Sequence, residues 1–218
     1  MARFANRNEA GRELAAQLSK FQNQGVLVMP VPHGGVPVAV PVAQALKAAL
    51  LPVPMRSLHV PWQQETIFGY VTDQGRLSLN QPLVGQMRLT PREIRSIARE
   101  QRLALQTDLE EWGVTVPGHL QGRTVLLVDD GMHSGWTMFS AIETVLHLGA
   151  ARILAAVPVT HFRAKRFVSR HCDAVIAILT EDISLYQIGT YFGDFHDLNS
   201  VHVKDLLKGT LSAQPTAA

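Results

Sequence analysis

Cysteine is almost absent: the 218 residues include one, Cys172. A single thiol forms no internal disulfide, and no segment has the paired Cys/His spacing of a zinc site, so a reducing compartment fits. Aromatic residues are scarce, at 6%. Long apolar runs are missing as well. No segment reaches the roughly 18 uninterrupted apolar residues of a membrane span, and Met1 to Arg7 contain no apolar h-region. These absences predict a soluble, cytoplasmic protein that spans no membrane. Charge of one sign is also lacking, with 20 basic against 18 acidic side chains, so no basic footprint points to nucleic acid. Apolar residues are plentiful, at 46%, enough for a real core. The expected organisation is one domain over residues 1–211, followed by a disordered tail at 212–218.

Hydrophobic periodicity orders the rest of the chain. Residues 8–20 place Leu14, Ala15 and Leu18 at helical spacing, which predicts an amphipathic helix. Val26-Leu27-Val28-Met29 is a short apolar run of the buried parallel-strand kind, and it breaks at Pro30-Val31-Pro32-His33-Gly34-Gly35. A second helix is predicted over 36–50, with Pro37 and Pro41 in its first turns, where missing amide hydrogens matter least. Residues 55–60 read as a strand. Gly69-Tyr70-Val71 and residues 76–79 flank Thr72-Asp73-Gln74-Gly75 and predict a hairpin. Thr90-Pro91-Arg92-Glu93 combines an N-cap, a proline at N1 and an acid at N3, opening a long helix that stops near Gly113. From there strand 124–128, helix 137–148, strand 152–159, helix 163–170 and strand 174–179 alternate, the pattern of an α/β protein with a parallel sheet and right-handed crossovers. Residues 183–203 are aromatic and less regular.

The chemistry concentrates in residues 125–137. An apolar strand ends in Asp129 and Asp130 and runs through Gly131, Met132, His133, Ser134 and Gly135 to Trp136 and Thr137, where a helix opens. Open α/β sheets bind ligands at the carboxyl ends of their strands, and a helix N-terminus suits a phosphate. Two carboxylates beside that phosphate would face hydroxyls or a metal.

This stretch resembles the phosphoribosyl-diphosphate (PRPP) motif of type I phosphoribosyltransferases, in which apolar residues precede two acids and a Thr-Gly-small-Thr phosphate loop. Here that loop is Ser134-Gly135-Trp136-Thr137. Phe4 to Leu18, Val31 to Ala39, and Ile188-Gly189 through Asp194-Phe195 are similar to the opening helix, diphosphate loop and C-terminal segment of a bacterial subgroup of predicted phosphoribosyltransferases. The likeness spans roughly residues 3–203. It implies an open parallel sheet flanked by helices, with a small hood built from about 1–20 and 183–205. It also implies that Asp129 and Asp130 bind the ribose 2′- and 3′-hydroxyls, that Gly131 to Thr137 cradle the 5′-phosphate, and that His33, Gly34 and Gly35 hold the diphosphate. Mg²⁺ is the implied cofactor, near Asp129 and Asp130 but held indirectly through water and PRPP. The implied partners are PRPP, a small-molecule acceptor and a second copy of the chain in a homodimer. Three positions depart from the pattern: His33 stands for Arg, His59 for Lys, and Trp136 for a small residue. An indole at 136 must swing outward or narrow the pocket.

The implied activity is transfer of a 5-phosphoribosyl group to a nucleobase-like acceptor with release of diphosphate. His133, the titratable group of the phosphate loop, is either its general base or a solvated loop histidine. The alternative function is a PRPP or nucleotide sensor with little or no turnover. A phosphoacceptor receiver domain also carries acids after a buried strand, but there the pair follows the first strand, whereas two strand patterns precede Asp129. Arg92, Arg95, Arg99 and Arg102 share one helix face, as a solvated stripe or as a cover for a site or subunit contact. Tyr186, Tyr191, Phe192 and Phe195 pack the hood or form a stacking surface for the acceptor.

Overall fold

The computed structural model describes residues 2–184 and 186–211, so the expected tail lies outside the described residues. Where the sequence suggests one domain, packing divides the chain into two compact units, Met1–Val53 with Pro117–Ala218, and Pro54–Val116.

The first unit is built on a parallel sheet of five strands. Numbered along the whole chain, these are β1 (Leu27–Pro30), β2 (Ala49–Leu50), β6 (Thr124–Val128), β7 (Arg152–His161) and β8 (Ala174–Glu181), in the order β2-β1-β6-β7-β8. Strands β1 and β7 are apolar and buried over nearly their whole length, as a sheet covered on both faces requires. Helix α2 (Gly35–Leu46) connects β1 to β2 in one direction. Helices α5 (Trp136–His147) and α6 (Phe162–Val168) carry β6 to β7 to β8 in the other. Right-handed crossovers running opposite ways place α2 on one face of the sheet and α5 and α6 on the other. Helices α1 (Arg7–Gln17) and α7 (Ser200–Leu211) pack against α2. A Cβ on Gly11 would stand 2.3 Å from the Val38 carbonyl oxygen, so α1 meets α2 backbone to backbone.

Three local outcomes differ from the sequence expectation. The helix expected over 36–50 stops at Leu46, because Lys47 turns left-handed (φ 52°) and Ala49–Leu50 pairs with β1 as a short edge strand. The irregular stretch 183–203 contains a 3-10 turn at Ile188–Tyr191 and the start of α7. The two terminal segments expected to form a hood do meet: Phe4 N–H donates to the Tyr191 carbonyl at 2.9 Å, and Gly193 N–H donates back to the Phe4 carbonyl at 2.8 Å. Helix α1 itself, however, belongs to the layer over the sheet, with Ala10 and Leu14 fully buried. Burial pushes the half-buried Cys172 thiol up to about 11, which keeps it protonated and unreactive.

The second unit is an antiparallel meander of β3 (Met55–Val60), β4 (Gln63–Thr72) and β5 (Leu77–Leu79), followed by α3 (Gln81–Gln86) and α4 (Pro91–Trp112). Leu58, Phe68, Ile94 and Ala98 form its core. The capping box at Thr90 and Glu93 closes as expected. Arg92, Arg95 and Arg99 are exposed, while Arg102 donates to the Asp73 carbonyl at 2.8 Å and supports the hairpin turn. His59 spends both ring nitrogens locally, on the Ser57 hydroxyl and the Gln64 carbonyl. Among the described residues, no helix is long and apolar enough to cross a membrane.

Candidate active site

Pro30 and Val128 are register partners at the ends of β1 and β6, and Val31 N–H donates to the Val128 carbonyl at 2.8 Å. The loops that leave these two strands therefore start side by side, at the point where the crossovers diverge. That is the place where open sheets of this kind form a ligand crevice. One loop carries His33, Gly34 and Gly35, and the other carries Asp129 to Gly135.

The glycines explain how the loops fit. A Cβ on Gly34 would fall 2.3 Å from Asp130 Oδ2, and one on Gly35 would fall 2.4 Å from the Val128 carbonyl oxygen. Neither position has room for a side chain, so the first loop lies directly against the acid pair. A Cβ on Gly131 would stand 2.8 Å from the Ile188 side chain. Gly135 takes φ 79°, a left-handed turn that starts α5 and disfavours any other residue.

Both acids are buried. Asp129 accepts the backbone N–H of Asp130 at 2.9 Å. Asp130 Oδ2 accepts from Arg7 Nε at 2.8 Å, and Arg7 Nη1 donates to the His196 carbonyl at 2.9 Å, with the guanidinium 3.8 Å from the centre of the Phe195 ring. Burial, joined by the charge of Asp130, holds the Asp129 carboxyl well above the usual range. Burial also raises the Asp130 carboxyl, against the opposing pull of Arg7. Two carboxylates forced close together in a dry setting are poised to accept hydroxyl protons or sit beside a cation.

Arg7 is the site residue that spacing gave no reason to choose. It stands 123 positions from Asp130, and no local pattern connects them. His133 and Ser134 are exposed on the second loop. Ser134 Oγ accepts the Trp136 N–H at 3.3 Å, so it organises the turn into α5. Met132 is buried and bridges to Thr160 on β7, with His161 N–H donating to its carbonyl at 2.9 Å.

Trp136 packs among aromatic side chains. Its indole stacks on Phe167 with ring centres 6.3 Å apart and packs on Phe139 at 5.1 Å. The indole Nε1 is buried with no hydrogen-bond partner among the described residues. Replacing Trp136 with alanine should cost about 1–3 kcal/mol of stability, part of the 3–5 typical for a fully buried aromatic. Phenylalanine should restore most of it in chemical denaturation. A loss that phenylalanine does not restore would count against simple packing as its role.

Known proteins share this arrangement of sequence and fold. The phosphoribosyl transferase domain model matches residues 4–187. A Mycobacterium tuberculosis protein, Rv0571c, named a phosphoribosyl transferase only provisionally, is 31% identical over 198 residues, 89% of this chain and 44% of its own length. Its counterpart in a second strain, MT0597, matches equally. The chain thus spans less than half the length of these curated relatives. The crystal structure of TT1426 from Thermus thermophilus superimposes with a TM-score of 0.75 at 30% identity, covering 95% of this chain and 99% of that one.

Proposed function

The chain belongs to the phosphoribosyl transferase family, and on that premise we propose that it binds PRPP with Mg²⁺ and transfers the 5-phosphoribosyl group to a small acceptor, releasing diphosphate. The observation that carries this reading is the pairing of the two loops: a buried acid pair at the end of β6, with a side-chain-free glycine loop pressed against it from the end of β1.

The residues take distinct parts. Asp129 and Asp130 accept hydrogen bonds from the ribose hydroxyls. The loop from Gly131 to Thr137 surrounds the 5′-phosphate with backbone amides, the hydroxyls of Ser134 and Thr137, and the positive end of α5. Gly34 and Gly35 let the leaving diphosphate approach main-chain amides closely, and His33 adds partial positive charge. His133, exposed on the phosphate loop, takes the acceptor's proton. Positioning and electrostatics supply the rate, since the sugar carries positive charge as diphosphate departs.

The residues present also fit a hydrated Mg²⁺. Two adjacent carboxylates are hard oxygen ligands too few for an octahedral cage, which suits an ion that keeps waters and takes its remaining ligands from PRPP. When bound, it would neutralise charge on the diphosphate.

The test is calorimetric titration of PRPP with Mg²⁺ into wild type and the Asp129→Asn/Asp130→Asn double variant, followed by diphosphate release with candidate acceptors. Wild-type binding, at least ~100-fold loss in the double variant (about 2.7 kcal/mol) and acceptor-dependent release are expected. Equal binding by both proteins would sink the proposal, and binding without release would leave a PRPP sensor in its place.

A further inference from the structure

Beyond the phosphate loop, a cleft of about 630 Å³ opens among that loop, the end of β7, the first turn of α6 and the segment after β8. His133, Ser134, His161, Arg163, Asp182 and Tyr186 contribute its polar lining, and Phe167 part of an apolar wall. The volume falls in the range of small-molecule sites.

Tyr186 is the informative residue. It is only 3% exposed, and its ring is flanked edge-on by His133 at 5.8 Å and His161 at 5.6 Å. Its hydroxyl is buried with no hydrogen-bond partner among the described residues. Buried polar groups are nearly always satisfied, and an unpaired one on a cleft wall marks where a ligand atom belongs. Burial pushes this hydroxyl well above its usual value, with smaller contributions from Tyr191 and from the charges of Asp130 and Glu181.

The other polar groups fix the ligand's character. His161 Nδ1 accepts the Arg163 backbone N–H at 3.2 Å, so the neutral ring carries its proton on Nε2 and presents a donor. The Arg163 guanidinium is exposed and has no partner among the described residues. Among the residues lining the cleft the carboxylate is Asp182, itself mostly in solvent and 4.0 Å from His161 Nε2, while the charges of Asp130 and Glu181 reach the Tyr186 hydroxyl from outside the lining. A surplus of donors, one a planar fork suited to a carboxylate, calls for a ligand rich in acceptors and negative in charge. Flanking rings and the Phe167 wall call for a flat one.

We infer that this cleft takes the acceptor of the proposed reaction, and that the acceptor is a heteroaromatic acid: a planar nitrogen ring bearing a carboxylate that Arg163 grips, with Tyr186 and His161 donating to the ring's own acceptor atoms. The inference rests on the phosphoribosyl-transfer reading. In the step it implies, the ring nitrogen forms a bond to ribose C1 and the C1–O bond to diphosphate breaks. The bonding pair leaves on diphosphate; an acceptor whose attacking nitrogen bears a proton, such as orotate, loses it through His133 to solvent, whereas a pyridine-type nitrogen has none to lose and keeps the positive charge of the new bond.

The experiment has two arms on the full chain. The first titrates PRPP with Mg²⁺ alone. The second follows diphosphate release with matched acceptors that differ in the carboxylate, orotate against uracil and nicotinate against nicotinamide, together with adenine and hypoxanthine. A carboxylated member should exceed its neutral partner at least ~100-fold in kcat/KM. Arg163→Ala should raise KM for that acid by about 10–100-fold, the span of one charge-assisted contact, while leaving PRPP affinity unchanged. Arg163→Lys should recover part of the loss, and Tyr186→Phe should raise the same KM about 10-fold. Preference for a neutral base, an unchanged KM in Arg163→Ala, or release with none of the acceptors would overturn the inference while PRPP binding stands. No PRPP binding in wild type overturns the reading beneath it, and the inference with it.

Discussion

Replacing Arg7 with alanine should destabilise the protein by about 3–5 kcal/mol, the cost of stripping one partner from a buried ion pair. The pair is well suited to show the full effect. Arg7 and Asp130 have side chains only 9% and 12% exposed and meet at 2.8 Å. Removing the guanidinium leaves Asp130 buried beside Asp129 with no cation in contact. It also deletes the bond to the His196 carbonyl and the stacking on Phe195, the two contacts by which Arg7 holds the C-terminal segment. At about 2–4 °C per kcal/mol for a chain of this size, the melting temperature should fall by about 6–20 °C. Amides from Tyr191 to His196 should exchange faster. Arg7→Lys should recover less than half, because a point charge cannot bond two partners and stack on a ring together. A loss under ~1 kcal/mol would show that the pair is solvated and does not order this segment. PRPP affinity should fall in Arg7→Ala as well, because Asp130 would be unheld and protonated more often.

The same pair shows where sequence reading reaches its limit. The β6 strand and the start of α4 were legible because their signals are local: four apolar residues ending in acids, and a capping box within four positions. The two loops at the sheet's switch point were legible from glycines and acids at strand ends. Helix α3 was not, since it is six residues long and contains Pro82 and Gly85. Strand β2 was hidden inside what reads as helix, and only its ladder to Leu27 and Val28 makes Ala49–Leu50 a strand. Strand β4 begins with Gln63, Gln64 and Glu65, polar residues that pattern assigns to a loop. The ring that stacks on Trp136, Phe167, lies 31 positions away in sequence. The Arg7–Asp130 bond and the meeting of Tyr186 with His133 and His161 depend on tertiary closure, to which periodicity is blind.

Asp129→Asn should make the protein more stable and less able to bind PRPP. In the folded state the Asp129 carboxyl sits well above its ordinary value, because burial disfavours its charge and Asp130 adds a like charge. The folded chain therefore keeps a proton that the unfolded chain releases near pH ~3.9. Between that pH and the raised folded value, the native state binds more protons than the unfolded one, so stability declines as pH rises. Asparagine has no charge to bury and can still accept the Asp130 N–H. Below pH ~3.9, wild type and variant should be nearly equal in unfolding free energy. Above it the variant should pull ahead, reaching a constant lead of about 1–3 kcal/mol, the scale of one uncompensated buried polar group. Urea unfolding at a series of pH values measures this lead. A lead that shrinks as pH rises would mean the Asp129 carboxyl is lowered, not raised, by its surroundings. The same variant should bind PRPP at least ~10-fold more weakly, about 1.4 kcal/mol, because a neutral amide accepts hydroxyl protons less strongly than a carboxylate. A charge that costs stability in the free protein and strengthens ligand binding is what a site built for ribose hydroxyls should carry, whereas a purely structural aspartate would lose stability when neutralised.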